Sequence, residues 1–159
     1  MSRKPRARSG LEPLNPRRLP LGAAPFGPGI ASGHSTLVVK NGTDSDAFVR
    51  VIALGATPQL VRNFYIQSGQ NFTAESVPPG NYVLRVAFGI DWNDSERGFN
   101  YRRIFEETQP FELTEVTRVE PSVDGSLSSN RFSHVSITLH KVLNGNFRSH
   151  KITEEQFRR

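Results

Sequence analysis

Short runs of residues that alternate between apolar and polar, closed by proline or glycine, constrain this chain most. In the clearest run, residues 82–88 (YVLRVAF), four side chains fall on one face: Tyr82, Leu84, Val86 and Phe88. A PPGN sequence at 78–81 precedes the run, and its fixed and permissive backbone angles favour a chain reversal. A period of two is the pattern of a β-strand with one buried face. The chain is therefore expected to consist of strands joined by turns.

Seven further segments have strand-like patterns, at 35–40, 47–54, 61–67, 71–77, 101–105, 110–116 and 131–142. The polar stretch 120–130 is expected to be a hairpin tip. Only residues 153–157 have helical character, because Thr153 and Gln156 are spaced as a capping box. The predicted fold class is all-β: a two-sheet β-sandwich of about seven to eight strands, with a short C-terminal helical turn and a disordered N-terminal tail.

Residues 1–30 differ from the rest of the 159-residue chain. They hold six of the 11 prolines and four of the 13 glycines, and their apolar residues follow no period. Such a composition is typical of disordered linkers. The expected domains are a disordered, basic, Pro/Gly-rich tail and linker at 1–30 and a β-sandwich at 31–159.

The net charge of the chain lies in the same tail. Its six basic residues, against one acid, are Arg3, Lys4, Arg6, Arg8, Arg17 and Arg18, whereas residues 31–159 carry 14 basic and 14 acidic side chains. A folded nucleic-acid reader normally has its own basic face. Contact with nucleic acid or an anionic membrane is therefore expected to be weak and to depend on those six residues. A purely solubilising arm is the alternative.

Two parts of the sequence, one short and one that covers most of the chain, resemble known domains. Residues 77–92 (VPPGNYVLRVAFGIDW) resemble the turn and strand of transthyretin-like and carboxypeptidase-regulatory-like β-sandwich modules. Roughly residues 35–157 are similar to an uncharacterised bacterial domain family, through segments at 49–51, 64–69, 77–92, 137–146 and 152–157. The resemblance implies a small accessory β-sandwich without an established activity. Members often follow a membrane helix and a proline-rich linker, and here a basic proline-rich start stands in that place.

The residue inventory argues against an enzyme. The chain has no Cys, which excludes disulfides and thiolate chemistry, and no GxSxG phrase places a serine for attack. His134 and His140 lie opposite the apolar face of Val135, Ile137 and Leu139, about 20 Å apart along a strand, too far to share one ion. We expect no catalytic residues, no metal and no cofactor. Without a signal peptide or membrane span, a soluble, cytoplasmic protein is expected.

The sequence GIDW at 89–92 is the best candidate for a binding site. Gly89 permits a bend or bulge, and Trp92, the only tryptophan, then begins a polar loop. An aromatic ring beside carboxylates is the arrangement of many sugar sites. The candidate ligand-binding residues are Asp91, Trp92, Asn93, Asp94 and Tyr101. The alternative is that Trp92 is buried and closes one end of the core.

Two functions therefore remain open. The first is a non-catalytic protein-interaction or accessory module of unknown partner, which docks through a sheet edge or through residues 89–103. The alternative is a small-ligand domain that binds carbohydrate around Trp92. Burial of Trp92 would favour the interaction module, and exposure beside Asp91 and Tyr101 would favour the ligand site.

Overall fold

The computed structural model describes residues 12–122, 125–140 and 149–159. The all-β class is confirmed, with one short helix at the C-terminal end. The elements are β1 (Ser35–Asn41), β2 (Asp46–Ala53), β3 (Gln59–Ile66), β4 (Asn71–Val77), β5 (Gly80–Asn93), β6 (Gly98–Thr108), β7 (Phe111–Leu113), β8 (Glu115–Ser122), β9 (Gly125–Phe132), β10 (His134–Leu139), β11 (Ser149–Lys151) and α1 (Glu154–Arg158).

The described strands form three sheets. The largest has the order β11-β6-β5-β2-β3, with β7 also paired to β5, and the second has the order β10-β1-β4. The third is the β8–β9 hairpin, and β1 and β10 are parallel. The described strands exceed the seven to eight predicted, because the predicted segments 110–116 and 131–142 are each divided between two strands and because β11 has no counterpart among the predicted segments. The predicted polar tip at 120–130 is largely strand in its described residues. The backbone of residues 120–122 pairs with that of residues 125–127, and residues 128–130 pair with residues 117–119.

The main core lies between the six-stranded and the three-stranded sheet. The predicted inner face of β5 is confirmed, since Tyr82, Leu84, Val86 and Phe88 all belong to this core. The smaller sheet contributes Leu37, Val39, Ala74, Val77, Ile137 and Leu139, with Val135 packed against them. The two sheets therefore bury their facing sides as a sandwich does.

A second apolar cluster covers the outer face of the six-stranded sheet. It comprises Phe48, Tyr65, Ala87, Trp92, Phe99 and Phe157, with Leu19, Ala23, Phe105 and Ile152 packed against it. Residues of the N-terminal part and of α1 therefore cover a face that a simple two-layer sandwich leaves in water. This cover explains why almost every residue of β2 is buried.

Residues 12–30, here called the N-terminal segment, run along the edge of the six-stranded sheet. The Gly22 amide donates to the Tyr65 carbonyl at 2.8 Å, the Tyr65 amide donates to Ala23 at 3.0 Å, and the Ile30 amide donates to Val61 at 2.9 Å. The prediction of a disordered tail does not hold for these residues; residues 1–11 lie outside the described part of the chain. Prolines exclude a helix but leave the backbone extended, and an extended backbone can pair with the open edge of β3.

The predicted helical turn and its capping box are confirmed in α1. The Gln156 amide donates to Thr153 Oγ1 at 3.1 Å, and the Thr153 amide donates to Gln156 Oε1 at 2.9 Å. Phe157 then reaches the second cluster. In the described ranges, no helix is both long enough and apolar enough to cross a bilayer.

The alternation of β5 is interrupted between Phe88 and Trp92. In a regular strand these two residues would share a face; instead Phe88 lies in the main core and Trp92 in the outer cluster. The register with β6 shifts between Phe88 and Ile90, beside Gly89, where β6 has one residue more than β5. Asp91, the residue before Trp92, has a left-handed φ of 66°. Gly89 is required here, because a Cβ would lie 2.4 Å from Phe99 Cβ.

Candidate functional site

Trp92, the centre of the predicted binding site, is buried. Its side chain is 2% exposed, and its ring meets Phe48, Tyr65 and Phe99 edge-on, at centroid distances of 5.2, 5.5 and 5.3 Å. The Trp92 amide donates to the Arg17 carbonyl at 2.9 Å. The ring therefore has no open face on which a sugar could stack. It fills the outer cluster rather than the end of the main core.

The two predicted carboxylates next to Trp92 hold the N-terminal segment. Asp91 accepts hydrogen bonds from the Arg17 amide and from Asn100 Nδ2, both at 2.9 Å. Asp94 forms an ion pair with Arg17 at 2.7 Å. Asp91 also has a φ of 66°, in the left-handed region. These acids thus bind the chain's own backbone and side chain at the tip of the β5–β6 hairpin.

The remaining predicted residues, Asn93 and Tyr101, do not join Trp92 in a shared cleft. Asn93 Oδ1 accepts from Ser95 Oγ at 2.8 Å and from the Glu96 amide at 3.3 Å, which closes the hairpin turn. Tyr101 is buried on β6 opposite Ile90. In the structure, Asn93 serves turn formation and Tyr101 serves packing.

A cavity of about 320 Å³ lies between the N-terminal segment and the start of β2. Its lining residues are Pro16, Arg18, Asp44, Asp46, Ser68, Ile90 and Asp91. Of the predicted ligand-binding residues, only Asp91 is among them. Polar side chains of both signs line this cavity, so it suits a small polar ligand better than an apolar one.

Asp46 is the buried acid at the base of this cavity. Arg18 donates to it twice, from Nε at 2.9 Å and from Nη2 at 2.7 Å. The Tyr65 hydroxyl donates at 2.5 Å and the Ser68 amide at 2.9 Å. A bidentate guanidinium is among the strongest partners of a carboxylate. Asp46 therefore anchors the N-terminal segment to β2 and β3.

These contacts also define the protonation states of the cluster. Burial raises the pKa of Asp46, but the hydrogen bonds from Arg18, Tyr65 and Ser68 outweigh it and hold that pKa below its ordinary value. Burial, and then the bond to Asp46, raise the pKa of Tyr65 far above its ordinary value. At neutral pH, Asp46 is a carboxylate and Tyr65 is a neutral donor. A carboxylate with so many donors is a poor general base.

The predicted tail contacts divide into two groups. Arg17 and Arg18 are engaged within the fold, by Asp94 and Asp46. The other four, Arg3, Lys4, Arg6 and Arg8, lie outside the described residues. Sequence reasoning missed Asp46 and Tyr65, whose partners are distant in the chain. It also missed Arg50, although a lone charge in the apolar run FVRVIA was a visible signal.

The histidines do not assemble into a metal centre in the described parts of the chain. His34 Nδ1 lies 2.9 Å from Glu115 Oε1, and the ring stacks on Phe132 at 4.8 Å. Across residues 12–122, 125–140 and 149–159, no three His, Cys, Asp or Glu side chains are grouped to hold an ion. His34 instead joins the body of the domain to the base of the β8–β9 hairpin.

Comparison of the chain with protein-family models, with curated proteins and with solved structures gives no match.

Proposed function

We propose that this protein is a non-catalytic protein-interaction module, and that the β8–β9 hairpin is its contact element. The observation that carries the proposal is the separation of this hairpin from the other sheets. Its strands pair with each other from Glu115↔Phe132 to Ser122↔Gly125, and with no third strand among the described residues. An isolated two-stranded hairpin is at best marginally stable in water. A partner that covers it would stabilise it.

The exposed side chains of the hairpin support a protein partner. Val116 is 53% exposed and Val119 is 62% exposed, and their odd spacing puts one valine on each face. Strand edges combined with apolar side chains suit strand addition, in which backbone hydrogen bonds supply affinity and side chains supply specificity. We therefore infer a partner that adds a strand to the hairpin.

The burial of Trp92 favours an interaction module over a sugar-binding domain. A buried Trp92 was the outcome expected for an interaction module, and the neighbouring Asp91 and Asp94 are engaged with Arg17. Residues 89–103 therefore hold the N-terminal segment in place through Asp91 and Asp94. This leaves the hairpin as the better docking element.

Site-specific photo-crosslinking tests this proposal. A photoreactive residue at position 119 is compared with one at Thr73, which is exposed on β4 of another sheet. A protein captured at 119 and not at 73 is then purified, and its affinity is measured for the unmodified chain, for Val119→Lys and for Thr73→Lys. We expect Val119→Lys to weaken binding about tenfold or more, and Thr73→Lys to leave it unchanged. Equal affinities, or equal capture at both positions, would contradict the proposal.

A second candidate function is binding of a small polar ligand, carbohydrate being the leading class. The cavity beside Arg18, Asp46 and Asp91 supports it. Trp92 serves as the reporter, because it contacts Tyr65, whose hydroxyl binds Asp46. Titration with an oligosaccharide panel should change the Trp92 emission, and the change should weaken in Asp44→Asn. If no oligosaccharide changes the Trp92 emission, the carbohydrate-binding function is rejected.

A further inference from the structure

Arg50 is a buried cation without an acidic partner among the described residues. It lies on β2, is 7% exposed, and directs its guanidinium between the rings of Phe26 and Phe157, 5.5 Å from each centroid. Its Nη1 donates to the Phe157 carbonyl, whereas its Nε has no partner in the described structure. Burying a charge without a counter-charge is costly. A negatively charged group close to Arg50 would offset this cost.

The strand register makes the position of Arg50 more unfavourable. Arg50 lies directly opposite Arg85 on β5, and like charges in that relation repel. Arg85 is compensated by Glu107, to which its Nε donates at 2.9 Å. Burial, followed by repulsion from Arg85 and Arg158, lowers the pKa of Arg50 to about 10. The carboxylate on this row of the sheet is thus committed to Arg85.

Two further arginines approach the same place from solvent. Arg97, in the β5–β6 turn, lies 4.7 Å from the centroid of Phe26. Arg158, at the end of α1, places Nη2 where a Cβ on Gly98 would be only 3.0 Å away. Both are exposed, and neither forms an ion pair within the described ranges. Arg50, Arg97 and Arg158 are called the arginine cluster below.

We propose that the arginine cluster binds a phosphate monoester group. Guanidinium groups match the several oxygens of a phosphate by forked hydrogen bonds, and three of them suit a dianion better than a single carboxylate. Arg97 and Arg158 hold the anion at the surface, and its charge compensates Arg50 beneath them. The ligand is a small free phosphate ester, because the site consists of guanidinium groups that match its one charged group; a phosphorylated peptide or a lipid headgroup is an outcome that the test distinguishes.

Inorganic phosphate is the first probe, used with the full-length chain. Its affinity is measured by calorimetry and by the rise in Tm, with sodium chloride adjusted to keep the ionic strength constant. The variants are Arg97→Gln and Arg158→Gln, with Lys40→Gln as the matched control, since Lys40 is exposed on β1 in the other main sheet. Circular dichroism checks that each variant folds.

We expect phosphate to stabilise the unmodified chain and Lys40→Gln equally, as binding to the folded state requires. Affinity should fall roughly fivefold or more in each cluster variant. Equal affinity in all four proteins, or no effect of phosphate beyond that of chloride, would overturn the proposal. Binding through the basic residues before position 12 would give that equal result, because neither cluster variant alters them.

Two further probes identify the source of the phosphate. A phosphoserine peptide and its unphosphorylated form are compared, and vesicles with and without phosphatidic acid form the other pair. Preference for the phosphorylated member of either pair, lost in Arg97→Gln, supports the site and names its source. Equal binding of both members in each pair assigns the site to a free phosphate ester if inorganic phosphate binds, and contradicts the proposal if inorganic phosphate does not bind. Val119→Lys should not alter phosphate affinity, so the outcome is independent of the interaction-module proposal.

Discussion

Asp46 is the single residue on which attachment of the N-terminal segment most depends. Its carboxylate joins Arg18 of that segment to Tyr65 and Ser68 of the sheet. Asp46→Asn should lower the free energy of unfolding by roughly 2–3 kcal/mol, because hydrogen bonds to a charged group are lost in a buried place. Urea unfolding at neutral pH measures the loss. Asp94→Asn is the control, and its exposed ion pair should contribute at most about 1 kcal/mol. Similar small losses in both variants would refute the anchor role.

The lowered pKa of Asp46 makes the same contribution depend on pH. A carboxyl whose pKa is lower in the folded state stabilises the fold above its unfolded pKa, which is near 3.8. That stability is lost as the pH falls through the folded pKa. The difference in stability between the unmodified chain and Asp46→Asn should therefore be constant from about pH 5 to 7, where the carboxyl is ionised in both states, and shrink below about pH 4. A difference that grows on acidification would contradict this sign.

Gly89 is a second residue whose identity the packing requires. Gly89→Ala should destabilise the fold by about 1–3 kcal/mol, because the new Cβ would overlap the Phe99 side chain. Gly55→Ala is the matched control, since a Cβ at Gly55 meets no atom within 4 Å. Thermal unfolding compares the two. Equal midpoints would show that the bulge adjusts without strain.

At the scale of elements, β5 is buried on both faces. Leu84→Ala should cost about 2–5 kcal/mol through the cavity it leaves in the main core. Val83→Ala should also be measurably destabilising, because Val83 is buried on the outer face, where an uncovered sandwich would leave it in water. Val116→Ala, on the exposed hairpin, is the control and should change stability little. A neutral Val83→Ala in urea unfolding would indicate that the outer face is open in solution.

The N-terminal segment behaves as part of the fold. Deletion of residues 1–30 should lower the Tm and shift the Trp92 emission to longer wavelength, because Trp92 loses the cover that includes Leu19 and its bond to Arg17. Deletion of residues 1–11 is the matched control. It removes four of the six basic residues of this region and none of the described contacts. Equal spectra for both deletions would show that the segment does not shield Trp92.

At the scale of the whole molecule, a balanced composition conceals an uneven distribution of charge. Residues 31–159 have equal numbers of acidic and basic side chains. Within the described residues, however, no arginine of the arginine cluster forms an ion pair, while Arg17 and Arg18 are neutralised by Asp94 and Asp46. Net charge therefore describes the tail better than it describes the folded surface.

Binding to duplex DNA tests this distribution. Of the six basic residues in the N-terminal region, Arg3, Lys4, Arg6 and Arg8 are left for phosphate contacts and should contribute a slope of log affinity against log salt of about −3.6 at most. The two exposed arginines of the arginine cluster should add about −1.8 at most. Deletion of residues 1–11 should remove most of that slope. A steep slope in residues 12–159 would show a larger basic face than the arginine cluster provides.

The sequence by itself determined the local features of this protein. Alternation in 82–88 identified the inner face of β5, and Thr153 and Gln156 identified the start of α1. Gly89 marked the place where the pairing of β5 with β6 becomes irregular. Each depends on residues close together in the chain, through backbone angles, period or a hydrogen bond within one turn. Features of this kind can therefore be predicted from one sequence alone.

Only the tertiary structure decided the outer cluster, the course of the N-terminal segment and the roles of the candidate site residues. The segment pairs with β3 by backbone groups, which carry no side-chain signature. Asp46 meets Arg18 and Asp91 meets the Arg17 amide across 28 and 74 positions of the chain. Whether a carboxylate near a tryptophan faces a ligand or its own chain depends on which distant segment arrives there. No local pattern records that choice, so the sequence could only propose candidate residues, and the fold assigned their contacts.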